Sequence, residues 1–259
     1  MGSLGYEGWQ FDSEHGGLAE DPLHGFKTLK QLYRHADAAF DGRATVPVLW
    51  DKKTDTPVNN ESSEIIRMFY SSFDHLLPEE LREVNRPGGG LYPEHLRRDI
   101  DALNEWVYDT VNNGVYKTGL AISQQAYDSS VRDVFASLDR LEAILAGHGG
   151  NFVLGDTLTE ADVRLYTTVA RFDVGYVPVF LVNLKTIRHD YPRLHAWLRR
   201  LYWDADSVKE QTRGAFHNTT SEFLDSYGAG YARTRHSIVF KNQGPLIVPA
   251  GPEVKIEPL

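Results

Sequence analysis

The 259-residue chain contains no cysteine. It therefore has no disulfide framework and no thiol nucleophile, and thiolate metal sites are excluded as well. Long apolar runs are also missing. The best candidate, Val174 to Val182, is short and interrupted by Pro178, so no membrane span is expected. The first residues, Met1-Gly2-Ser3-Leu4-Gly5-Tyr6-Glu7, show neither the basic region nor the apolar segment of a signal peptide. Basic residues are outnumbered, 27 against 36 acidic, for a net charge of −9. That balance argues against nucleic-acid and anionic-membrane partners. The ten histidines lack metal-ligand spacing: His189 and His195 stand six apart, and no His-Glu-x-x-His run occurs. No metal is expected. Phosphate-binding loops, dinucleotide fingerprints and Gly-x-Ser-x-Gly elbows are absent too. The expectation is a soluble, cytoplasmic protein.

What is present falls into two patterns. Up to about Asp74 the pattern is mixed. Leu23, Phe26, Leu29, Leu32 and Tyr33 recur at helical spacing, and a β-rich run follows from Thr45 to Trp50. A polar turn over residues 51–56 then leads to a short strand around Pro57 to Asn59, which reads as a hairpin. From Glu61 a helix is expected to about Ser72. A stretch rich in Pro and Gly, with Pro78, Pro87 and Gly88-Gly89-Gly90, marks a boundary.

Beyond it the chain reads as helical. One stripe is Leu96, Ile100, Leu103, Trp106 and Val107. A second runs from Tyr127 to Leu145, with Gly147 as the expected C-terminal cap. A third helix starts at Thr159, where Asp162 completes a capping box and Leu158 can staple to Val163. A fourth carries Leu194, Trp197, Leu198 and Leu201 after Pro192. Such stripes are bundle core far more often than ligand sites.

Two constellations can carry chemistry. Val46-Pro47 opens a strand, where proline cannot donate to a ladder. An ordinary edge proline and a cis peptide fit that position equally well, and a cis bond would turn the Val46 backbone outward toward a peptide-like ligand. The run Asn60-Glu61-Ser62-Ser63-Glu64 offers a hydroxyl cap, free N–H groups and the positive end of a helix dipole. It suits a carboxylate beside an ammonium-pairing Glu, although Ser and Glu are common caps anywhere. Among the aromatics, Trp9, Tyr116, Tyr176 and Tyr231 lie beside Gly or Asn or in loop-like stretches, and they are pocket candidates as well as packing residues.

Taken together, Thr45-Val46-Pro47-Val48-Leu49-Trp50, Asn60-Glu61-Ser62-Ser63-Glu64-Ile65 and Thr157-Leu158-Thr159-Glu160-Ala161-Asp162-Val163 resemble the glutathione transferase superfamily. Gly8-Trp9-Gln10-Phe11-Asp12, Asn112-Asn113-Gly114-Val115-Tyr116-Lys117, Asp162-Val163-Arg164-Leu165-Tyr166 with Arg171-Phe172-Asp173, and the tail Ile247-Val248-Pro249-Ala250-Gly251-Pro252 narrow the resemblance. They are similar to the S-glutathionyl-hydroquinone reductases of the xi class, close to the omega class.

The resemblance implies an α+β fold. A partial thioredoxin-like domain (a strand hairpin plus helices) would occupy 1–74, a linker 75–93, and an all-α bundle with an extended tail 94–259. It implies glutathione as co-substrate, bound by Val46 before a cis Pro47, by Glu61 and Ser62 at the γ-glutamyl head, and by Trp9 beside it. Tyr116, Tyr176 and Tyr231 would line a pocket for an aromatic quinol, and a homodimer is the family's usual state. Around Val208 to His236 the sequence departs from the family pattern and carries extra residues. The family's nucleophile is a cysteine in a Cys-Pro-Trp-Ala motif, activated at a helix N-terminus. This chain has no such motif, so no catalytic residue is assigned. The expectation is that the motif, with the first strand, first helix and second strand, falls upstream of Met1. A catalytically inactive binding or scaffold module is the alternative.

Overall fold

A computed structural model describes residues 3–5, 8–13, 17–203, 208–251 and 255–259. The chain divides into two compact units, Met1–Pro78 and Glu79–Leu259. The first mixes strands and helices and the second is helical, the α+β organisation expected.

In the first unit, β1 (Ser3–Gly5) pairs antiparallel with β2 (Gly8–Gln10), so Trp9 stands in a strand rather than a loop. Helix α1 (Leu29–Ala36) begins where Thr28 and Gln31 form a reciprocal capping box, and it buries Leu29, Leu32 and Tyr33. The expected helical stripe reached back to Leu23. That residue is exposed, because the chain turns through Gly25 in the left-handed region (φ 72°) before the cap.

Strand β3 (Leu49–Asp51) pairs antiparallel with β4 (Thr56–Asn59), with a register shift between Leu49 and Trp50. The β-rich run expected from Thr45 is thus a strand only at its end. Pro47, in cis, has no N–H to enter a ladder. Helix α2 (Ser62–Ser71) follows. Trp9, Phe26, Phe40, Val48 and Trp50 pack around a small core of Leu29, Leu32, Tyr33 and Ala44.

The second unit opens with short 3₁₀ turns between residues 79 and 96. Helix α3 (Arg97–Val107) then runs through a π-helical turn (Tyr108–Asn112) into α4 (Gly114–Gly119). The backbone keeps helical dihedrals through Asn113 between the two. The Asn112 amide donates to Thr168 Oγ1 at 2.6 Å, and Gly114 lies so close to α5 (Gln124–His148) that a Cβ there would come 2.8 Å from a Val134 methyl.

Helix α5 ends at Gly149, not Gly147, because Gly149 is the residue that adopts the left-handed conformation (φ 67°). Helix α6 (Glu160–Arg171) has the predicted capping box and continues through a π-helical turn (Phe172–Tyr176) into α7 (Val177–Phe180). Then come α8 (Ile187–Asp190), α9 (Pro192–Tyr202), α10 (Val208–Thr212), α11 (Ala215–Thr220) and α12 (Tyr227–Ile238). The core takes Val131, Val134, Leu138 and Leu141 from α5, Leu165 from α6 and Leu194 and Leu201 from α9.

Residues 245–251 of the tail form no regular secondary structure and are largely exposed, while Pro252 lies outside the described residues. Farther on, Trp203 Nε1 donates to the Ile256 carbonyl at 2.8 Å and holds the end of the chain against α9. No helix among the described residues is long and apolar enough to cross a membrane.

Candidate functional site

The first unit presents a short polar edge built from Thr45 to Pro47 and the start of α2. Val46 is 49% exposed and its peptide bond to Pro47 is cis. Thr45 fixes this segment from both sides. Its carbonyl accepts the Tyr33 hydroxyl at 2.9 Å, and its Oγ1 accepts the Asn60 amide at 2.8 Å. The second bond links the cis peptide segment to the residue just before Glu61.

At the helix start, Glu61 is the N-cap and its side chain makes no capping bond. Ser62 is the first helical residue, and the hydroxyl cap that the 60–64 run offers is not used. Asn59 braces the residues around it: its Oδ1 accepts the Glu61 N–H at 2.7 Å, while its amide donates to Glu64 Oε2 at 2.5 Å. The N–H groups of Ser62 and Ser63 have no acceptor among the described residues, and the Glu61 and Ser62 side chains are exposed. Unpaired N–H groups at a positive dipole end attract a carboxylate, and Glu61 beside them can take an ammonium. Trp9 is half-buried against the core that includes Ala44, next to Thr45.

In the second unit, Tyr116 (α4), Tyr176 (end of the π-helical turn) and Tyr231 (α12) converge. The Tyr176 and Tyr231 hydroxyls are 2.9 Å apart, and Tyr116 lies 3.3 Å from Tyr231 and 3.4 Å from Tyr176. The sequence marks each separately; their meeting depends on packing. Phe180 touches all three rings, at 5.1–5.6 Å between centroids. Gly119 and Gly175 make room: a Cβ would fall 2.1 Å from Phe180 Cγ and 2.9 Å from Tyr231 Cδ2. Arg235 Nε donates to the Gly119 carbonyl at 3.0 Å and holds α12 against α4.

Burial, reinforced by the neighbouring hydroxyls, raises the Tyr176 pKa well above 10.0. Burial also raises Tyr231, with Arg171 opposing. Arg171, over the Tyr227 ring at 4.7 Å, stays charged: burial works against its charge, but Tyr231, Tyr176 and Tyr227 outweigh it. The cluster therefore offers neutral phenol donors with a guanidinium nearby, suited to an oxygen that gains negative charge.

A cavity of about 450 Å³ opens beside Arg171 and Tyr227, lined also by Leu91, Tyr166, Thr167 and Phe216. Its size suits an aromatic ring system. None of the three clustered tyrosines lines it.

One grouping escaped sequence reasoning. His24, His35 and Asp55 come together in the first unit, with ligand atoms all within 4.8 Å of one another. They stand 11 to 31 residues apart, so no local spacing signals them.

Residues 124–200 match the family pattern described as glutathione S-transferase, C-terminal domain. The chain is 51% identical over 217 residues to a glutathione S-transferase omega-like 2 of Schizosaccharomyces pombe, spanning 84% of this chain and 65% of that protein. It is 50% identical over 198 residues to a glutathionyl-hydroquinone reductase of Escherichia coli, spanning 75% of this chain and 56% of that protein. It thus spans less than two thirds of these relatives.

Among solved structures, glutathione transferase Xi 1 from Trametes versicolor superposes with a TM-score of 0.80 at 45% identity, over 96% of this chain and 79% of that one. The xi glutathione transferase of Saccharomyces cerevisiae in complex with glutathione superposes with a TM-score of 0.82 at 38% identity, over 99% and 83% of the two chains.

Proposed function

This chain belongs to the glutathione transferase superfamily, in its xi-class, omega-like branch, and from that premise we propose that it binds glutathione and an aromatic quinol for a glutathionyl-hydroquinone reductase. The observation that carries the reading is the start of α2. Two N–H groups with no acceptor among the described residues and an exposed carboxylate there are linked through Asn60 and Thr45 to the cis Val46–Pro47 peptide. Ser62 and Ser63 would hold the α-carboxylate of the γ-glutamyl head, with Glu61 on its ammonium. The Val46 backbone would pair with the cysteinyl unit, and Trp9 would pack beside the tripeptide.

The tyrosine cluster would hold the quinol. Departure of a hydroquinone leaves charge on its oxygens, and the Tyr176 and Tyr231 hydroxyls, kept protonated, would donate to that oxygen as charge develops. Their pKa values disfavour proton loss, so their role is donation and positioning rather than general base. The thiol step in such reductases needs a cysteine, and these 259 residues contain none. The chain's own part in the proposal is therefore recognition of the two ligands.

Titration calorimetry with glutathione tests the first site. Glu61→Ala and Ser62→Ala together are expected to weaken binding by roughly tenfold or more, since charge-assisted hydrogen bonds contribute about 1.5–3 kcal/mol. Absence of glutathione binding by the unaltered chain, or identical affinity in the double variant, would refute this assignment. For the second site, Tyr176→Phe with Tyr231→Phe is expected to weaken binding of an S-glutathionyl hydroquinone while leaving glutathione affinity unchanged.

A further inference from the structure

We propose that His24, His35 and Asp55 form a binding site for one divalent transition-metal ion of the zinc type. Three separate segments supply the ligands. His24 lies in the turn before α1, His35 in the last turn of α1, and Asp55 in the hairpin between β3 and β4. His24 Nε2 is 2.7 Å from Asp55 Oδ1, and His35 Nε2 is 2.6 Å from Asp55 Oδ2. The other His24 nitrogen, Nδ1, faces Asp21 Oδ2 at 3.0 Å.

Hydrogen-bond accounting shows what the cluster needs. A carboxylate only accepts, so every ring nitrogen that faces one must carry a proton or share a cation with it. Nδ1 of His24 carries the proton given to Asp21. Both Nε2 atoms then face the two oxygens of a single carboxylate. One dication between them satisfies all three ligand atoms; with protons alone His24, whose two nitrogens both face carboxylates, must be an imidazolium, while His35 needs only its Nε2 proton, its ring 4.5 Å from that of His24 between centroids.

The donor set agrees with that ion. Two imidazoles and a carboxylate suit zinc and its neighbours in the transition series. A carboxylate behind a ligating histidine fixes its tautomer and aims its lone pair, the part Asp21 plays for His24. Ligand atoms of a tetrahedral zinc stand about 3.3 Å apart, so Asp55 would move outward by about half an ångström. It has room to do so, its side chain being 46% exposed in a turn. That open side also leaves a coordination position for water. The Trp50 indole N–H, 3.3 Å from Asp55 Oδ1, makes the site visible to fluorescence.

The test uses the untagged 259-residue chain, stripped with chelator and free of glutathione, itself a metal-binding thiol. Its outcome is therefore separate from that of the glutathione assignment. Zinc is titrated by calorimetry and cobalt(II) by absorbance and proton NMR. The expected result is one saturable equivalent of zinc, with affinity at least a hundredfold weaker in His24→Gln with His35→Gln and unaltered in His75→Gln. In the unaltered chain cobalt(II) is expected to shift the imidazole resonances of His24 and His35 and to quench Trp50 emission, a readout that survives if the double variant does not fold. No saturable uptake, or cobalt shifts confined to other histidines, would overturn the proposal and leave a proton-bridged cluster.

Discussion

Asp162 shows how much one side chain can organise. It has no exposed surface and accepts the backbone N–H of Val153 at 2.9 Å, the N–H and hydroxyl of Thr159 at 3.0 and 3.1 Å, and the Trp197 indole at 2.9 Å. Burial raises its pKa, and those four donors oppose the rise. Asp162→Ala strands all of them in the core, so a loss of about 3–5 kcal/mol is expected in chemical denaturation, with a smaller loss for Asp162→Asn. Half of this was legible in the sequence. Thr159 and Asp162 announce a capping box because the partners stand three residues apart. Trp197, 35 positions away, enters only through packing. The tyrosines behave alike: Tyr116, Tyr176 and Tyr231 stand out as candidates, but their meeting depends on Gly119 and Gly175 admitting Phe180 and Tyr231. Because folded Tyr176 and Tyr231 are raised above 10.0, their contribution to stability is complete below that pH and lost as pH rises through the folded values. Phenolate absorbance at 295 nm should accordingly show a late step above pH 10 that disappears in Tyr176→Phe with Tyr231→Phe.

Helix ends show where element-scale reading succeeds and where it slips. Between Gly147 and Gly149, sequence pattern cannot choose, since either can follow the apolar stripe of α5. The choice is made by what comes next. His148 Nδ1 accepts the Gly150 N–H at 2.9 Å, and a Cβ at Gly150 would meet the Gly155 backbone at 2.5 Å, so the chain must reverse after His148. Gly147 is left inside the helix with open space around its Cα. Gly147→Ala is therefore expected to stabilise by about 0.5–1 kcal/mol through helix propensity. Gly149→Ala, forced into a left-handed conformation, should destabilise by about 1 kcal/mol. Thermal melts of the two variants moving the same way would contradict this. The same logic explains α2. The 60–64 run offers a hydroxyl cap in sequence, but Glu61 takes the N-cap position, its N–H held by Asn59 Oδ1, and Ser62 is the first helical residue.

For the whole molecule, the contrast between the two cores matters most. In the second unit, buried residues from α5, α6 and α9 form one continuous cluster, whereas the first unit's cluster has four buried members beneath partly buried Trp9, Phe26, Phe40, Val48 and Trp50. Apolar burial is the main source of stability, so the units should resist opening unequally. Hydrogen exchange is expected to be slowest in α5, α6 and α9 and faster throughout α1 and β3–β4. The candidate glutathione and metal sites both lie in the less protected unit, which has most to gain from a ligand, because a ligand that binds only the folded form stabilises by RT ln(1 + [L]/Kd). Glutathione at 100 times its Kd would add about 2.7 kcal/mol, slowing exchange in α1, β4 and the first turns of α2. Zinc should slow exchange around α1 and the β3–β4 hairpin. In His24→Gln with His35→Gln the zinc effect should vanish while the glutathione effect persists. Loss of both together would mean that the histidine cluster holds up the fold of this unit rather than an ion.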